Sequence, residues 1–195
     1  MATETHAALQ NLLSRRSIPA LQLGPPGPTQ QQIDLAIDAA LTAPDHGALR
    51  PLRLVLIRGA ARERLSELFV RRMQEREPPT PAAKIDKARR MPLTAPLTIA
   101  AGAHLVSNPK VPEIEQLFSA AAGIMNLLNA FHAQGFGAIW LTGANAYDPQ
   151  IAHALQFAAD ERCLGFVYVG SLPGTERVLI PRRLEHATAV RDWTG

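Results

Sequence analysis

The sequence predicts a mixed domain of α-helices and β-strands with one hydrophobic core. Thr29 and Gln32 form a capping-box pattern, and apolar residues then recur at one-face helical spacing until Pro44. The chain has 195 residues and 47% apolar composition, enough for one sizeable core, so we expect a single domain over 1–195. Short apolar runs predict strands at 54–57, 97–105, 136–140 and 164–169, and we expect the first and last of these to be buried.

Four further helices and one helical segment follow from apolar spacing and capping residues. A short helix over 8–13 ends near Arg15, and Asp148 caps a helix over 151–155. Helices are also predicted around 65–73, at 84–90 and at 113–134. In the last of these, apolar residues spread around the cylinder, so we expect burial on more than one side. Its main apolar face comprises Ile114, Leu117, Phe118, Ala121, Met125 and Leu128.

Charge and composition argue against several functional classes. The formal net charge is only +3, which does not favour nucleic acid as a partner. The ten basic residues from Arg58 to Arg90 are interleaved with acidic ones, which favours a solvated helix face. No run approaches ~20 apolar residues, so no membrane span is expected. The single cysteine, Cys163, excludes an intramolecular disulfide and is predicted to be a core residue, compatible with the reducing cytoplasm in which we expect the protein.

Several familiar chemical motifs are absent or out of context. Gly135-Phe136-Gly137 begins like a dinucleotide fingerprint, but Trp140 stands where the third glycine belongs, and the motif enters a strand instead of a helix. A P-loop and a Gly-x-Ser-x-Gly elbow are both missing from the sequence. The six histidines lack metal-ligand spacing, so no metal site is predicted.

Two polar motifs stand at the ends of the first two predicted helices. Arg15-Arg16-Ser17 ends the first, and Ala43-Pro44-Asp45-His46 ends the second. Two cations, a hydroxyl and a histidine suit an anionic cofactor rich in hydrogen-bonding groups. Two simpler interpretations stay open: the arginines could complement the helix dipole in water, and His46 could cap a turn.

Further short motifs follow in a recognisable order along the chain. They are Pro51 before a strand, Lys87-Ala88-Arg89 before Ala95-Pro96, Lys110-Val111-Pro112 with Glu115-Gln116, Gln134 to Trp140, and Thr142-Gly143. Over residues 9–172, the order and spacing of all these motifs resemble the nitroreductase family, most closely its short bacterial branch of NAD(P)H nitroreductases. The resemblance implies an α+β three-layer fold with a central, mostly antiparallel sheet flanked by helices. It also implies an obligate homodimer that completes the domain and holds FMN at its interface.

The resemblance gives the first two motifs specific roles. Arg15, Arg16 and Ser17 would bind the FMN phosphate, with one arginine instead near the flavin pyrimidine, where its charge would raise the reduction potential. His46 would join the phosphate or ribityl side, from the same or the other subunit. Residue 42 also belongs to this cofactor site by analogy, although the chain has Thr42 where related proteins have an arginine.

The later motifs would contact the flavin ring and the electron donor. Gln134 and Gly135 would help to place the nicotinamide. A backbone amide near Thr142 or Gly143 would donate to the flavin N5, and because the flavin carries the chemistry, no catalytic acid and base are expected. Trp140 could equally be a core residue. The residues expected to line the isoalloxazine are Trp140, Leu141 and Thr142.

The resemblance therefore implies an FMN-dependent oxidoreductase that passes hydride from NAD(P)H through flavin to a small acceptor such as a nitroaromatic or a quinone. Leu141 and Thr42 replace two arginines and Leu52 an aromatic residue, so FMN affinity could fall tenfold or more. Arginines at 177, 182 and 183 could compensate, and the tail 173–195 is expected to pack on the partner. The alternatives are a flavin-using dehalogenase or similar reductase, and a noncatalytic flavin- or nucleotide-binding protein with a degraded redox site.

Overall fold

The computed structural model describes residues 6–108, 110–172 and 189–194. Within them, the helices are α1 (Ala7–Ser14), α2 (Gln30–Leu41), α3 (Ala61–Gln74), α4 (Ala82–Thr94), α5 (Glu113–Ala133) and α6 (Pro149–Ala154). The strands are β1 (Leu52–Ile57), β2 (Leu97–His104), β3 (Gly137–Leu141) and β4 (Glu161–Gly170). Short 3-10 turns lie at Ala20–Gln22 and His46–Ala48. Every predicted helix and strand is present, with bounds shifted by a few residues.

The four strands form one sheet in the order β1-β2-β4-β3, and each neighbouring pair is antiparallel. The central strand β2 is buried along all but its last residue. The prediction that the 54–57 strand is buried was wrong for most of β1, in which only Ile57 is buried. Because β1 is an edge strand with one neighbour, its other residues are only half-covered.

Two hydrophobic cores lie on opposite faces of this sheet, so the prediction of one core was wrong. Ile99 and Val167 face α2 and α5, whereas Phe166 and Tyr168 face the other core. In that second core, Phe69 of α3 meets Phe166 edge-on, with ring centroids 4.9 Å apart. The layers are therefore helix, sheet and helix, which confirms the predicted α+β fold with a central antiparallel sheet.

Helices α2 and α5 pack closely against each other over the sheet. The Thr29 and Gln32 capping box forms as predicted and starts α2. At Gly123 of α5, a Cβ atom would lie 3.0 Å from the carbonyl oxygen of Ala40 and 3.0 Å from a methyl group of Leu52. A glycine at this position therefore allows α5 to approach both α2 and β1.

Within one chain, α5 is buried on only one side. Of the predicted apolar face, Ile114, Phe118 and Met125 are 52%, 64% and 39% exposed. The expectation of burial on a second side is thus not met inside the single chain, which leaves an apolar surface on the longest helix. Leu128 of the predicted face is buried, as expected. The full set of residues that α5 buries is Gln116, Ala120, Gly123, Ile124, Leu127, Leu128 and Phe131.

No helix among the described residues is long and apolar enough to cross a membrane. Most of the tail predicted to pack on a partner lies outside the described residues, including the arginines at 177, 182 and 183. Of its described part, the side chains of Val190 and Trp193 are exposed.

Leu127→Ala should destabilise the fold because this side chain of α5 is fully buried in the core shared with α2 and the sheet. Removing it leaves a cavity, and we expect a loss of about 2–5 kcal/mol in the free energy of unfolding. Urea denaturation measures this loss. The control is Leu93→Ala on α4, where the side chain is 43% exposed. Equal losses for the two variants would contradict this core assignment.

Candidate functional site

The segment Arg15-Arg16-Ser17 lies at the free edge of the sheet, beside β3. Ser17 forms a parallel bridge with Ala138, and the backbone N–H of Ile18 donates to the carbonyl oxygen of Ala138 at 3.0 Å. Ser14, the last residue of α1, places its Oγ 2.9 Å from Nε2 of His132 near the end of α5. The first predicted motif is therefore fixed where α1, α5 and β3 meet.

Arg15 and Arg16 are half-buried cations. Neither forms an ion pair with a carboxylate of the described residues. The Nε atom of Arg15 is buried and has no hydrogen-bond partner within the same part of the chain. A guanidinium in this state is costly unless an anion or another acceptor reaches it. The recess beside these arginines measures only ≈ 20 Å³, so a large ligand would lie over this surface and not within it.

Trp140 is held flat against β4 near the end of β3. Its indole Nε1 donates to the carbonyl oxygen of Leu164 at 3.1 Å. A Cβ atom at Gly165 would lie 2.4 Å from that Nε1 and 2.5 Å from the carbonyl oxygen of Leu141, and Gly165 has φ +141°. Glycine is therefore required beneath the indole. Trp140 is half-buried against the α5 core, so it both packs in the fold and presents one side to the surface.

Three consecutive backbone amides follow the end of β3. The N–H groups of Thr142, Gly143 and Ala144 donate no hydrogen bond within the described part of the chain. Gly143 has φ +104°, and a Cβ atom built there would meet nothing within 4 Å. The surface beside Gly143 is thus open to a ligand that carries hydrogen-bond acceptors.

The loop that follows these amides is tied to the end of α3 by a network that includes Asp148. The side chain of Asp148 is 6% exposed, and its carboxylate accepts from Arg72 Nε at 3.0 Å, from Arg76 Nη2 at 3.4 Å and from the backbone N–H of Gln150 at 3.0 Å. Burial opposes ionisation of Asp148, but these hydrogen bonds outweigh burial and lower its pKa. Asp148 therefore caps α6, as predicted, and it also joins the loop before α6 to the end of α3.

Sequence reasoning missed this network. It assigned the basic residues from Arg58 to Arg90 to a solvated helix face, which is wrong for Arg72 and Arg76, since both are largely covered and paired with Asp148. The only sequence signal was the capping role of Asp148, which accounts for one carboxylate oxygen but not for the other.

His46 is not close to Arg15 in the single chain. Its Nδ1 lies 2.7 Å from a carboxylate oxygen of Glu115 in the first turn of α5. His132, beside Ser14, is 17 residues further along the same helix, which at 1.5 Å per residue separates the two places by about 25 Å. The expectation that the two motifs meet is therefore not fulfilled within one chain.

The Thr42 hydroxyl is occupied within the chain. It donates to the carbonyl oxygen of Ala39 at 2.8 Å and accepts from Asn126 Nδ2 at 3.3 Å. These bonds tie the end of α2 to the exposed side of α5.

Gln134 and Gly135 form the junction between α5 and β3. The side chain of Gln134 donates from Nε2 to the backbone oxygen of Gln32 at 3.0 Å, while its buried Oε1 has no partner among the residues that the structure describes. Gly135 has φ +94°, a conformation suited to ending a helix. The contact with Gln32 gives Gln134 a structural role in joining α5 to α2.

Cys163 is buried in the core as predicted, and burial raises the pKa of its thiol. Among the described residues, no group of three His, Cys, Asp or Glu side chains is placed to hold a metal ion. Three larger grooves of about 460–480 Å³ lie between α3 and α4, between β1 and α3, and beside α6. None of these three is lined by Arg15, His46 or Trp140.

A profile of the nitroreductase family matches residues 12–171 of the chain. The chain belongs to the nitroreductase family. It is 37% identical over 164 residues to "Putative NAD(P)H nitroreductase YdjA" of Escherichia coli K12, an alignment that covers 84% of this chain and 87% of that protein. The family assignment thus rests on most of the length of both proteins.

Solved structures confirm the nitroreductase fold. A nitroreductase-like family protein from Bacillus cereus superposes with a TM-score of 0.82 at 17% identity and covers 100% of both chains. A nitroreductase with bound FMN from Bacteroides fragilis superposes with a TM-score of 0.71 at 16% identity, covering 97% of this chain and 100% of that chain. At such identities the likeness concerns the fold alone.

Asp148→Asn should make the protein less stable at pH 7, by about 1–3 kcal/mol, because Arg72 and Arg76 lose a buried charged acceptor. The folded-state pKa of Asp148 is lowered, so its stabilising effect is complete above the unfolded pKa of about 3.9 and is lost as the pH falls through the folded-state pKa. Urea denaturation at pH 7, 5, 4 and 3 should therefore show the stability difference shrinking below pH 4. Asp86→Asn, in an exposed pair with Arg90, is the control. A difference that stays constant down to pH 3 would argue against this role.

Proposed function

We propose that the protein is an FMN-dependent oxidoreductase that takes hydride from NAD(P)H and reduces a small acceptor such as a nitroaromatic or a quinone. One observation carries the proposal: Arg15 and Arg16 are half-buried cations beside β3 that form no ion pair with any described residue, and the buried Nε atom of Arg15 has no hydrogen-bond partner among those residues. The family assignment and the E. coli protein named as an NAD(P)H nitroreductase support it further.

The residues of the chain fit the chemistry of FMN at two places. Arg15, Arg16 and the exposed hydroxyl of Ser17 offer charged and neutral donors suited to a phosphate or to the pyrimidine oxygens. Thr142 lies just beyond the end of β3, four residues from Ala138 and about 13 Å away along an extended chain. From there, the amides at 142–144, which have no acceptor among the described residues, offer neutral donors. The two places would contact opposite ends of an elongated ligand lying along β3.

When bound, FMN would supply the redox chemistry by accepting hydride from a nicotinamide and passing two electrons to the acceptor. The chain's own part is to bind and orient. A donated N–H from Thr142 or Gly143 would fix the ring edge that accepts the hydride, and a nearby arginine would stabilise negative charge on the reduced ring. The side of Trp140 that faces the surface would form part of the wall against the ring.

We infer that the functional unit is a homodimer paired through α5. Ile114, Phe118 and Met125 leave an apolar surface on this helix that a second copy would cover. In a two-fold pair whose axis crosses α5 at right angles, the two α5 helices meet antiparallel, so the His46 end of one helix lies beside the Arg15 end of the other. His46 of the partner subunit would then complete the anion site. The exposed Val190 and Trp193 of the tail would add to the same interface.

An absorption spectrum with added FMN, followed by anaerobic titration with NADPH and NADH, tests this function. We expect a flavin band that bleaches on stoichiometric addition of a nicotinamide. A yellow protein inert to both nicotinamides would favour the noncatalytic flavin-binding alternative, which Leu141 and the occupied hydroxyl of Thr42 would then explain. A colourless protein that leaves FMN fluorescence unquenched would contradict both.

Arg15→Ala should weaken FMN binding because it removes a charged donor from the anion site. A hydrogen bond to a charged group contributes about 1.5–3 kcal/mol, so we expect the Kd to rise by about tenfold to 150-fold. Titration of FMN fluorescence measures the change. Arg90→Ala, in an exposed pair with Asp86 on α4, should leave the Kd unchanged. Similar Kd values for both variants would show that Arg15 does not contribute to FMN binding.

Phe118→Asp should dissociate the dimer because it places a charge in the centre of the apolar surface of α5. Sedimentation velocity at micromolar concentration should give a dimer for the wild type and a monomer for the variant. Leu93→Asp adds the same charge at an exposed position on α4 and should stay dimeric. A dimeric Phe118→Asp variant would place the interface elsewhere.

A further inference from the structure

We propose that Arg76 is a positioning residue that holds the loop at 142–148 so that its free amides face the flavin. This inference rests on the proposed function, since it assigns those amides to the ring. Arg76 is 68 residues from Ala144 in sequence and follows the end of α3, outside the predicted cofactor motifs.

The contacts of Arg76 are concentrated on this loop. Its Nη2 donates to the carbonyl oxygen of Ala144 at 3.1 Å and to Oδ1 of Asn145 at 2.8 Å. Asn145 in turn directs Nδ2 towards the sulfur of Met73, 3.8 Å away. The end of α3 therefore holds two successive loop residues through three polar contacts.

The loop is also closed on itself. The backbone N–H groups of Ala146 and Tyr147 donate to the carbonyl oxygen of Gly143 at 2.9 and 3.2 Å. These bonds fix one side of Gly143, and Arg76 fixes the carbonyl of the next residue. The N–H groups of Thr142, Gly143 and Ala144 thereby remain on a segment with a defined orientation although they donate no bond within the described residues.

Arg72 and Asp148 anchor the far end of the same loop. Arg72 Nε contacts Asp148 at 3.0 Å through a bond of its own, whereas Arg76 contacts Asp148 at the longer distance of 3.4 Å. We therefore expect the bond between Arg72 and Asp148 to survive loss of Arg76. Removing Arg76 would thus release the carbonyl of Ala144 and the side chain of Asn145 while leaving α6 capped. This separation allows the position of the loop to be altered without removing its buried ion pair.

Orientation of these donors would matter for rate more than for affinity. An amide aimed at a ring atom acts through preorganisation, and a misplacement of about 1 Å can cost on the order of 100-fold in rate. Flavin affinity, by contrast, would depend chiefly on Arg15 and Arg16. The expected signature of Arg76 is therefore slower flavin reduction with FMN binding largely retained.

The test compares Arg76→Met, the conservative Arg76→Lys and the control Arg90→Met, an exposed arginine on α4. Hydrogen exchange of the Ala146 and Tyr147 amides, measured on FMN-free and FMN-loaded protein, reports loop order. The rate of flavin reduction, measured by stopped flow at saturating NADPH or NADH, reports how well the amides at 142–144 are oriented towards the flavin. For Arg76→Met we expect at least tenfold faster exchange, at least tenfold slower reduction and less than threefold change in the Kd for FMN. Arg76→Lys should recover part of both losses, and Arg90→Met should match the wild type.

Unchanged exchange, or reduction within twofold of the wild-type rate, in a flavin-loaded Arg76→Met variant would overturn this inference alone. A rise in the Kd for FMN that accounts for the whole loss of rate would also overturn it. Wild-type protein that takes up no FMN would overturn the proposed function and the link of this loop to the flavin. In that case, exchange in the FMN-free protein still decides whether Arg76 orders the loop.

Discussion

The close contact of α5 with α2 and β1 at Gly123 is the constraint on which the arrangement of the molecule depends. A Cβ atom at this position would crowd Ala40 and Leu52 at 3.0 Å, so the glycine lets the helix lie this near to both. With α5 held there, its buried side fills one core, its other side faces outward, and its two ends carry Glu115 and His132. Glu115 contacts His46 and His132 contacts Ser14, next to Arg15, so the single helix α5 determines the positions of both motifs.

Short sequence patterns predicted the helices and strands because residues close in sequence determine where these elements begin and end. The capping box at Thr29 and Gln32 and the cap at Asp148 act within three residues and formed as expected. Burial was less predictable because it depends on neighbours. Gln116 is buried on α5 because its amide group bonds to backbone atoms of Val106 and Val111, which no apolar pattern reveals. Similarly, β1 is apolar in composition, but most of its residues are only half-buried because the strand lies at the edge of the sheet.

In the candidate site, too, local features were predicted from the sequence and contacts between distant residues were not. The order of short motifs predicted the Arg15 segment and the end of β3 as parts of the site. The structure adds that the Arg15 Nε atom is buried and has no partner in the described part of the chain. Sequence reasoning could not give the distance between Arg15 and His46, which depends on the path of α5. It also missed the contacts between α3 and the loop after β3, because these join residues about 70 positions apart.

Placing Arg15 and His46 at opposite ends of α5 has a thermodynamic consequence if each cofactor site is shared between two chains. Cofactor uptake and chain association become linked equilibria, in which each favours the other by the same free energy. Dilution alone would then release flavin, and excess FMN would hold subunits together at concentrations where the empty chains separate. The cellular abundance of the protein would thereby set the fraction that is active.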